Sequence, residues 1–218
     1  MSQMDIGSPL DAARRPLVLL VPGLNGAEPG HWLRIWAETR GDCELVDLGL
    51  WSAPRRNPWI TRLDQAIRSA EAPVVLVAHG LGCLAVAWWA ALAGQPYGWP
   101  VSGAMLVAPR ADVDGFSPSP TAAMPFPSLL VTSQDDPSTS PQRATDMAKF
   151  WGSALVDAGE LGRIDAHSGL GAWDDGQRLL DRLLDGEAID ARTQAAFATE
   201  PRRFPDRPVS RSASGLPN

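Results

Sequence analysis

Lysine is almost missing from this chain of 218 residues: Lys149 stands alone, and arginine supplies the rest of the 19 cations. Against 25 acids this leaves a formal charge of −6, which excludes the broad basic surface that nonspecific nucleic-acid binding needs to displace counterions. Cysteine is scarce too. Cys43 and Cys83 cannot build a disulfide framework or, by themselves, a tetrahedral zinc site, and the three histidines at 31, 79 and 167 lack ligand spacing. Neither a metal nor a cofactor is expected. Long apolar runs are also lacking. The best candidates, Leu17 to Val21 and Leu81 to Ala93, fall short of the ~18 to 20 residues that span a bilayer, so no membrane role is expected. Met1 to Arg15 carries Asp5 and Asp11 in a polar stretch with no hydrophobic stretch of signal-peptide type, which predicts a cytoplasmic protein.

What is present is globular. Hydrophobic residues make up 44% and charged ones 20%, and the length suits one domain with a core of its own. Nine tryptophans are many for one domain, and core and pocket walls are their expected places.

Short β-branched and leucine runs recur at Leu17 to Val21, Glu44 to Leu48, Val74 to Ala78, Ala104 to Ala108, Ser128 to Thr132 and Ala154 to Asp157. Helical spacing fills most gaps, at Pro29 to Arg40, Pro58 to Glu71, Leu81 to Ala93 and Pro141 to Trp151, with Gly176 to Asp185 closing the series. Strands apolar on both faces and separated by helices predict an α/β fold: a doubly wound, mainly parallel sheet covered by helices on both sides. Ligands in such sheets bind beyond the carboxyl ends of the strands. The folded unit is expected over residues 16 to 186, after an N-terminal extension of residues 1 to 15. From residue 187 to 218 the chain is rich in Pro, Arg and Ser and poor in aliphatics, so a flexible tail is expected there.

One strand runs into His79-Gly80-Leu81-Gly82-Cys83 and then a helix, the layout of a nucleophile elbow, whose sharp turn lifts its central residue above the sheet. Gly80 takes the central place, so no side chain is there to attack a substrate. Cys83 lies one helical turn further on, three positions past Gly80.

With the elbow stand Val21-Pro22-Gly23-Leu24-Asn25-Gly26, Gly30-His31-Trp32, Val107-Ala108-Pro109, Ser133-Gln134-Asp135-Asp136-Pro137 and Ser168-Gly169-Leu170-Gly171-Ala172-Trp173. Together these segments resemble the serine hydrolase family of small α/β-hydrolases typified by retinoblastoma-binding protein 9 and the YdeN-like proteins. Gly23, Gly26 and Gly30 do not give the Gly-x-Gly-x-x-Gly spacing of a dinucleotide site. The resemblance implies a minimal α/β-hydrolase fold without a large cap domain and a Ser, Asp, His order of catalytic residues. It puts Asp136 at the acid and Arg163 where the base His should stand, in Gly162-Arg163-Ile164-Asp165. A guanidinium that stays protonated near neutrality cannot act as general base. The oxyanion amides implied are Leu81 with Leu24 or Asn25.

The remaining candidates are His31, at the pocket mouth or capping the first helix, Trp32 as pocket wall, and His167 as a base displaced toward Asp136. His79 is expected to be packed and hydrogen bonded. An Arg163–Asp136 ion pair is expected to fill the gap left by the missing imidazole. The chain thus reads as a degenerate hydrolase that binds a small anionic ligand or a protein partner in the old pocket. A lyase or cyclase chemistry directed by Arg163 and the amides, or residual esterase activity, is the alternative.

Overall fold

The computed structural model describes residues 15–49, 51, 53–92, 101–110 and 113–187. Most of the expected N-terminal extension and of the Pro/Arg/Ser-rich tail lies outside the described residues. The elements run β1 (Leu17–Val21), α1 (Trp32–Thr39), β2 (Cys43–Leu45), α2 (Arg56–Ser69), β3 (Val74–His79), α3 (Leu81–Leu92), β4 (Val101–Val107), β5 (Ser128–Thr132), α4 (Pro141–Trp151), β6 (Ala154–Asp157) and α5 (Asp174–Leu184), with one 3-10 turn at Ala166–Ser168.

Among the described residues six strands, all parallel, lie in the order β2-β1-β3-β4-β5-β6. The two-residue period of a strand sorts its side chains into two cores. Leu19, Val21, Leu76 and Ala78 pack with α2, α3 and α4, whereas Val18, Leu20, Val75 and Val77 pack with α1 and α5. Both faces are therefore dry, which is why the strands lack polar alternation. No helix among the described residues is long and apolar enough to cross a membrane.

Boundaries differ from expectation where local hydrogen bonding intervenes. The second strand stops at Leu45 rather than Leu48, because Asp47 Oδ1 accepts the Gly49 N–H at 2.8 Å and turns the chain away from β1. The first helix begins at Trp32 rather than Pro29, since His31 is its N-cap. The last begins at Asp174, two residues early. Ser140 before Pro141 and the left-handed Gly152 after Trp151 bound α4, a start and a stop with ordinary capping chemistry.

Candidate functional site

Strand order reverses between β1 and β3, so the loops leaving these two strands part at the carboxyl edge of the sheet and leave a crevice there. The loop after β1 and the turn after β3 touch through glycines. A β-carbon on Gly23 would lie 2.9 Å from the His79 carbonyl oxygen, and one on Gly82 would lie 2.8 Å from that of Pro22 and closer still to that of Val21. Only residues without side chains allow this approach.

Gly80 sits at the apex of the turn with φ +56°. Its N–H donates to the Val107 carbonyl at 2.9 Å, and its own carbonyl accepts the Cys83 and Arg110 amides, each at 3.2 Å. The left-handed turn of an elbow is in place, yet a β-carbon built on Gly80 would meet nothing within 4 Å. The space above the apex is open. Beside it, Leu81 and the facing Leu24 and Asn25 line a cavity of about 150 Å³. Among the described residues nothing accepts the amides of Leu24, Asn25 or Leu81. Cys83 is fully buried, its Sγ 3.4 Å from the Ala78 and Val107 carbonyls, and burial pushes its thiol far above the usual range. It is no nucleophile.

The loop after β6 is tied down at four consecutive residues. Leu161 N–H donates to Ser133 Oγ at 2.8 Å and Gly162 N–H to Asp135 Oδ1 at 2.7 Å. The Arg163 carbonyl accepts His79 Nε2–H at 2.9 Å, and the Ile164 carbonyl accepts Trp32 Nε1–H at 2.8 Å. Its backbone is thus fixed at the edge of the cavity, while the Arg163 side chain is exposed.

The tautomers follow from the acceptors. A carbonyl can only accept, so His79 carries its proton on Nε2 and offers a lone pair at Nδ1. His31 Nε2, 3.3 Å away, donates to that lone pair, which leaves His31 Nδ1 free to accept the Leu33 N–H at 3.2 Å. His31 therefore both lines the cavity and caps α1. Burial, then the neighbouring His79, lowers the His31 pKa to about 3, and burial lowers that of His79 as well. Both rings are neutral at pH 7.

Three expectations are corrected. Arg163 and Asp136 both line the cavity, but no ion pair or hydrogen bond joins them among the described residues. The exposed guanidinium keeps its hydration, whereas pairing with a buried carboxylate would sacrifice it. Asp136 accepts instead the Ser138 N–H at 2.8 Å, and burial raises its pKa above the usual carboxylate value. His167 does not face Asp136: its Nδ1 lies 3.6 Å from Asp165 Oδ1 and 3.9 Å from Glu28 Oε1, at the exposed rim. Trp32 is core rather than pocket wall, packed at centroid distances of 4.8 Å on both Trp36 and Trp173.

Sequence reasoning missed Ser133, Asp135, Arg110 and Asp165. The Ser133 hydroxyl donates to Asp135 Oδ1 at 2.7 Å and, with the Gly162 amide, holds the Asp135 carboxyl below its ordinary pKa. The signal was the tandem Asp135-Asp136: one carboxylate anchors the β6 loop and its neighbour lines the cavity. Among the described residues no group of three His, Cys, Asp or Glu is placed to hold a metal ion.

The sequence profile of the serine hydrolase family matches residues 18–182, more than half of the chain and every strand except the first residue of β1. The chain belongs to the serine hydrolase family. No curated protein matches it in sequence. Among solved structures, this serine hydrolase family member is similar to a YdeN-like hydrolase from Pectobacterium atrosepticum, at 28% identity and TM-score 0.71, over 78% of this chain and 91% of that one. The ydeN product of B. subtilis matches at 18% identity and TM-score 0.63, over 78% and 99% of the two chains. Est1E from Butyrivibrio proteoclasticus, at 13% identity and TM-score 0.58 over 79% and 90%, shares the fold.

Proposed function

We propose that this member of the serine hydrolase family binds a small ligand headed by an anionic group in the old active-site cavity and does not hydrolyse esters through an acyl-enzyme. The observation that carries the reading is Gly80 at the apex of an otherwise intact elbow. A covalent route needs a nucleophile next to a base, and the apex offers no side chain. Arg163 stands on the base loop with its guanidinium in solvent. The nitrogens of His31 and His79 are committed to each other, to Leu33 and to the Arg163 carbonyl. What remains is binding chemistry. Unaccepted amides of Leu24 and Leu81 at the start of α3 favour an anion by the same electrostatics that would stabilise an oxyanion. Loss of one catalytic residue could leave a slow enzyme, but loss of both nucleophile and base removes the chemistry that the elbow serves.

The test is a fluorophosphonate probe and p-nitrophenyl esters on the purified protein. The expected result is no labelling and no turnover above background. Ser138 also lines the cavity. Stoichiometric labelling abolished by Ser138→Ala, or by substituting any other named Ser or Cys, overturns the proposal.

A further inference from the structure

The cavity has two electrical ends. Two guanidiniums, Arg110 and Arg163, line it, and neither side chain has an ion-pair or hydrogen-bond partner among the described residues. Arg110 belongs to the elbow side, since its backbone N–H donates to the Gly80 carbonyl. Three carboxylates line it as well: Glu28, Asp136 and Asp165. A simple anion would settle against three negative groups, and a simple cation against two guanidiniums and the open amides.

The carboxylates are not equivalent. Glu28 sits at the rim beside His167, its side chain 45% exposed. Asp165 is engaged, accepting the His167 N–H at 2.9 Å as the cap of its 3-10 turn. Asp136 is only 9% exposed. Its one short hydrogen bond comes from Ser138, it feels the Thr139 amide and, at longer range, the Arg163 charge, but no cation lies within ion-pair reach among the described residues. A carboxylate so deeply buried calls for a positive or strongly donating partner in direct contact, and burial still outweighs what Arg163 contributes from a distance. The cavity in front of it is where such a partner would enter.

We propose that the cavity takes a zwitterion of amino-acid size, its anionic group on the Leu24 and Leu81 amides and its protonated nitrogen on Asp136. The inference rests on the binding reading above and specifies the ligand class. The dimensions agree. Asp136 follows β5 and Leu81 follows β3, with β4 between them, and both line the same small cavity, so one ligand reaches both. A volume of about 150 Å³ lies below the ~300 to 1,000 Å³ of sites for drug-sized ligands.

The experiment compares taurine with its two half-molecules, ethanesulfonate and ethylamine, by ligand titration of the full chain followed by NMR at neutral pH. All three probes keep their charges through the acid range. Taurine is expected to bind at least tenfold more tightly than either half. Asp136→Asn is expected to bring taurine down to the level of ethanesulfonate without weakening ethanesulfonate itself. If that variant fails to fold, acidification of the unsubstituted protein supplies the same reading. Protonating Asp136 should abolish taurine's advantage over ethanesulfonate, and Glu28→Gln and Asp165→Asn at neutral pH, which should leave that advantage in place, separate Asp136 from the other carboxylates lining the cavity. Equal binding of taurine and ethanesulfonate overturns the zwitterion while leaving an anion site. Equal binding of taurine and ethylamine, or no binding by any probe, overturns it together with the anionic pole. Fluorophosphonate labelling, by contrast, would sink only the non-hydrolytic reading.

Discussion

His31 and His79 share a single hydrogen bond, Nε2 of the first donating to Nδ1 of the second at 3.3 Å, across 48 residues of sequence. It is the middle link of a relay that starts at the Leu33 amide in the first turn of α1 and ends at the Arg163 carbonyl. Each ring uses one nitrogen to accept and one to donate, so every link is satisfied only when both are neutral. A proton on His31 Nδ1 would break the cap of α1. One on His79 Nδ1 would set two donors face to face.

The relay therefore predicts acid lability. Both histidines have folded-state pKa values below the ordinary histidine value of 6.5, so the unfolded chain binds more protons as pH falls through that value. Stability from this source is complete above about pH 6.5 and is lost progressively toward pH 3, the folded value for His31. The steepest slope is about 1.4 kcal/mol per pH unit for each ring. Asp136, with a raised pKa, works in the opposite sense but is one group against two. Urea midpoints should fall clearly between pH 7 and pH 4.5, and His31→Asn, which keeps a helix-capping oxygen, should flatten the profile. A midpoint that is level over this range refutes the neutral relay.

The elbow glycines separate two kinds of constraint. At Gly82 the space is filled by the Val21 and Pro22 carbonyls, so a methyl group forces the backbone of the β1 loop to move. At Gly80 space is open and only the positive φ resists a side chain. Gly82→Ala should thus cost several kcal/mol, against about 1 kcal/mol for Gly80→Ala. Thermal unfolding of the two variants decides this, and comparable losses would show that the elbow is not packed against the loop after β1.

The sheet was legible in the sequence because burial on both faces leaves runs such as Leu17 to Val21 and Val74 to Ala78 with no polar positions, and their short length and β-branched residues separate them from the equally apolar but longer α3. The tight turn at Gly80 was legible for a different reason: it is a local feature, and its residues are contiguous. What escaped is non-local. Nothing near Asp135 in the chain shows that it receives the Gly162 amide, 27 residues away, nor does His79 announce the Arg163 carbonyl, 84 residues away. The expected Arg163–Asp136 pair failed on the same ground. Opposite charges at two positions expected from the triad order suggested contact, but four backbone ties fix the loop independently of what the Arg163 side chain does.

Asp136 itself carries a cost at neutral pH. A raised folded-state pKa means that its contribution to stability is fully present below the unfolded value of 3.8 and is lost as pH rises through the folded value. Removing the charge should relieve this. Asp136→Asn keeps an oxygen for the Ser138 amide, so at pH 7 it should raise the thermal midpoint by about 2 to 4 °C, the equivalent of roughly 1 kcal/mol for a domain of this size. The gain should vanish in acid, where the parent residue is already neutral. A variant less stable than the parent at pH 7 would mean that a cation within the protein already serves the carboxylate.

The strongest test of the non-hydrolytic reading is to restore the missing groups. Gly80→Ser places a hydroxyl on an apex whose β-carbon position is clear, at a strain of about 1 kcal/mol from φ +56°. Alone it should gain little, because the nearest rings, His31 and His79, have no free basic nitrogen aimed at the apex. Arg163→His alone should gain nothing, for want of a nucleophile. In the double replacement the imidazole inherits a loop already anchored by Ser133, Asp135, His79 and Trp32, with the Asp136 carboxylate beside it and the Leu81 and Leu24 amides free to receive an oxyanion. A positioned general base is worth ~10² to 10⁴ in rate. Fluorophosphonate labelling and p-nitrophenyl acetate turnover should therefore rise by about that factor over Gly80→Ser, and Asp136→Ala should take most of the gain away. A folded double variant that stays as inert as Gly80→Ser would show that the loop after β6, though held at four points, does not present residue 163 to the apex.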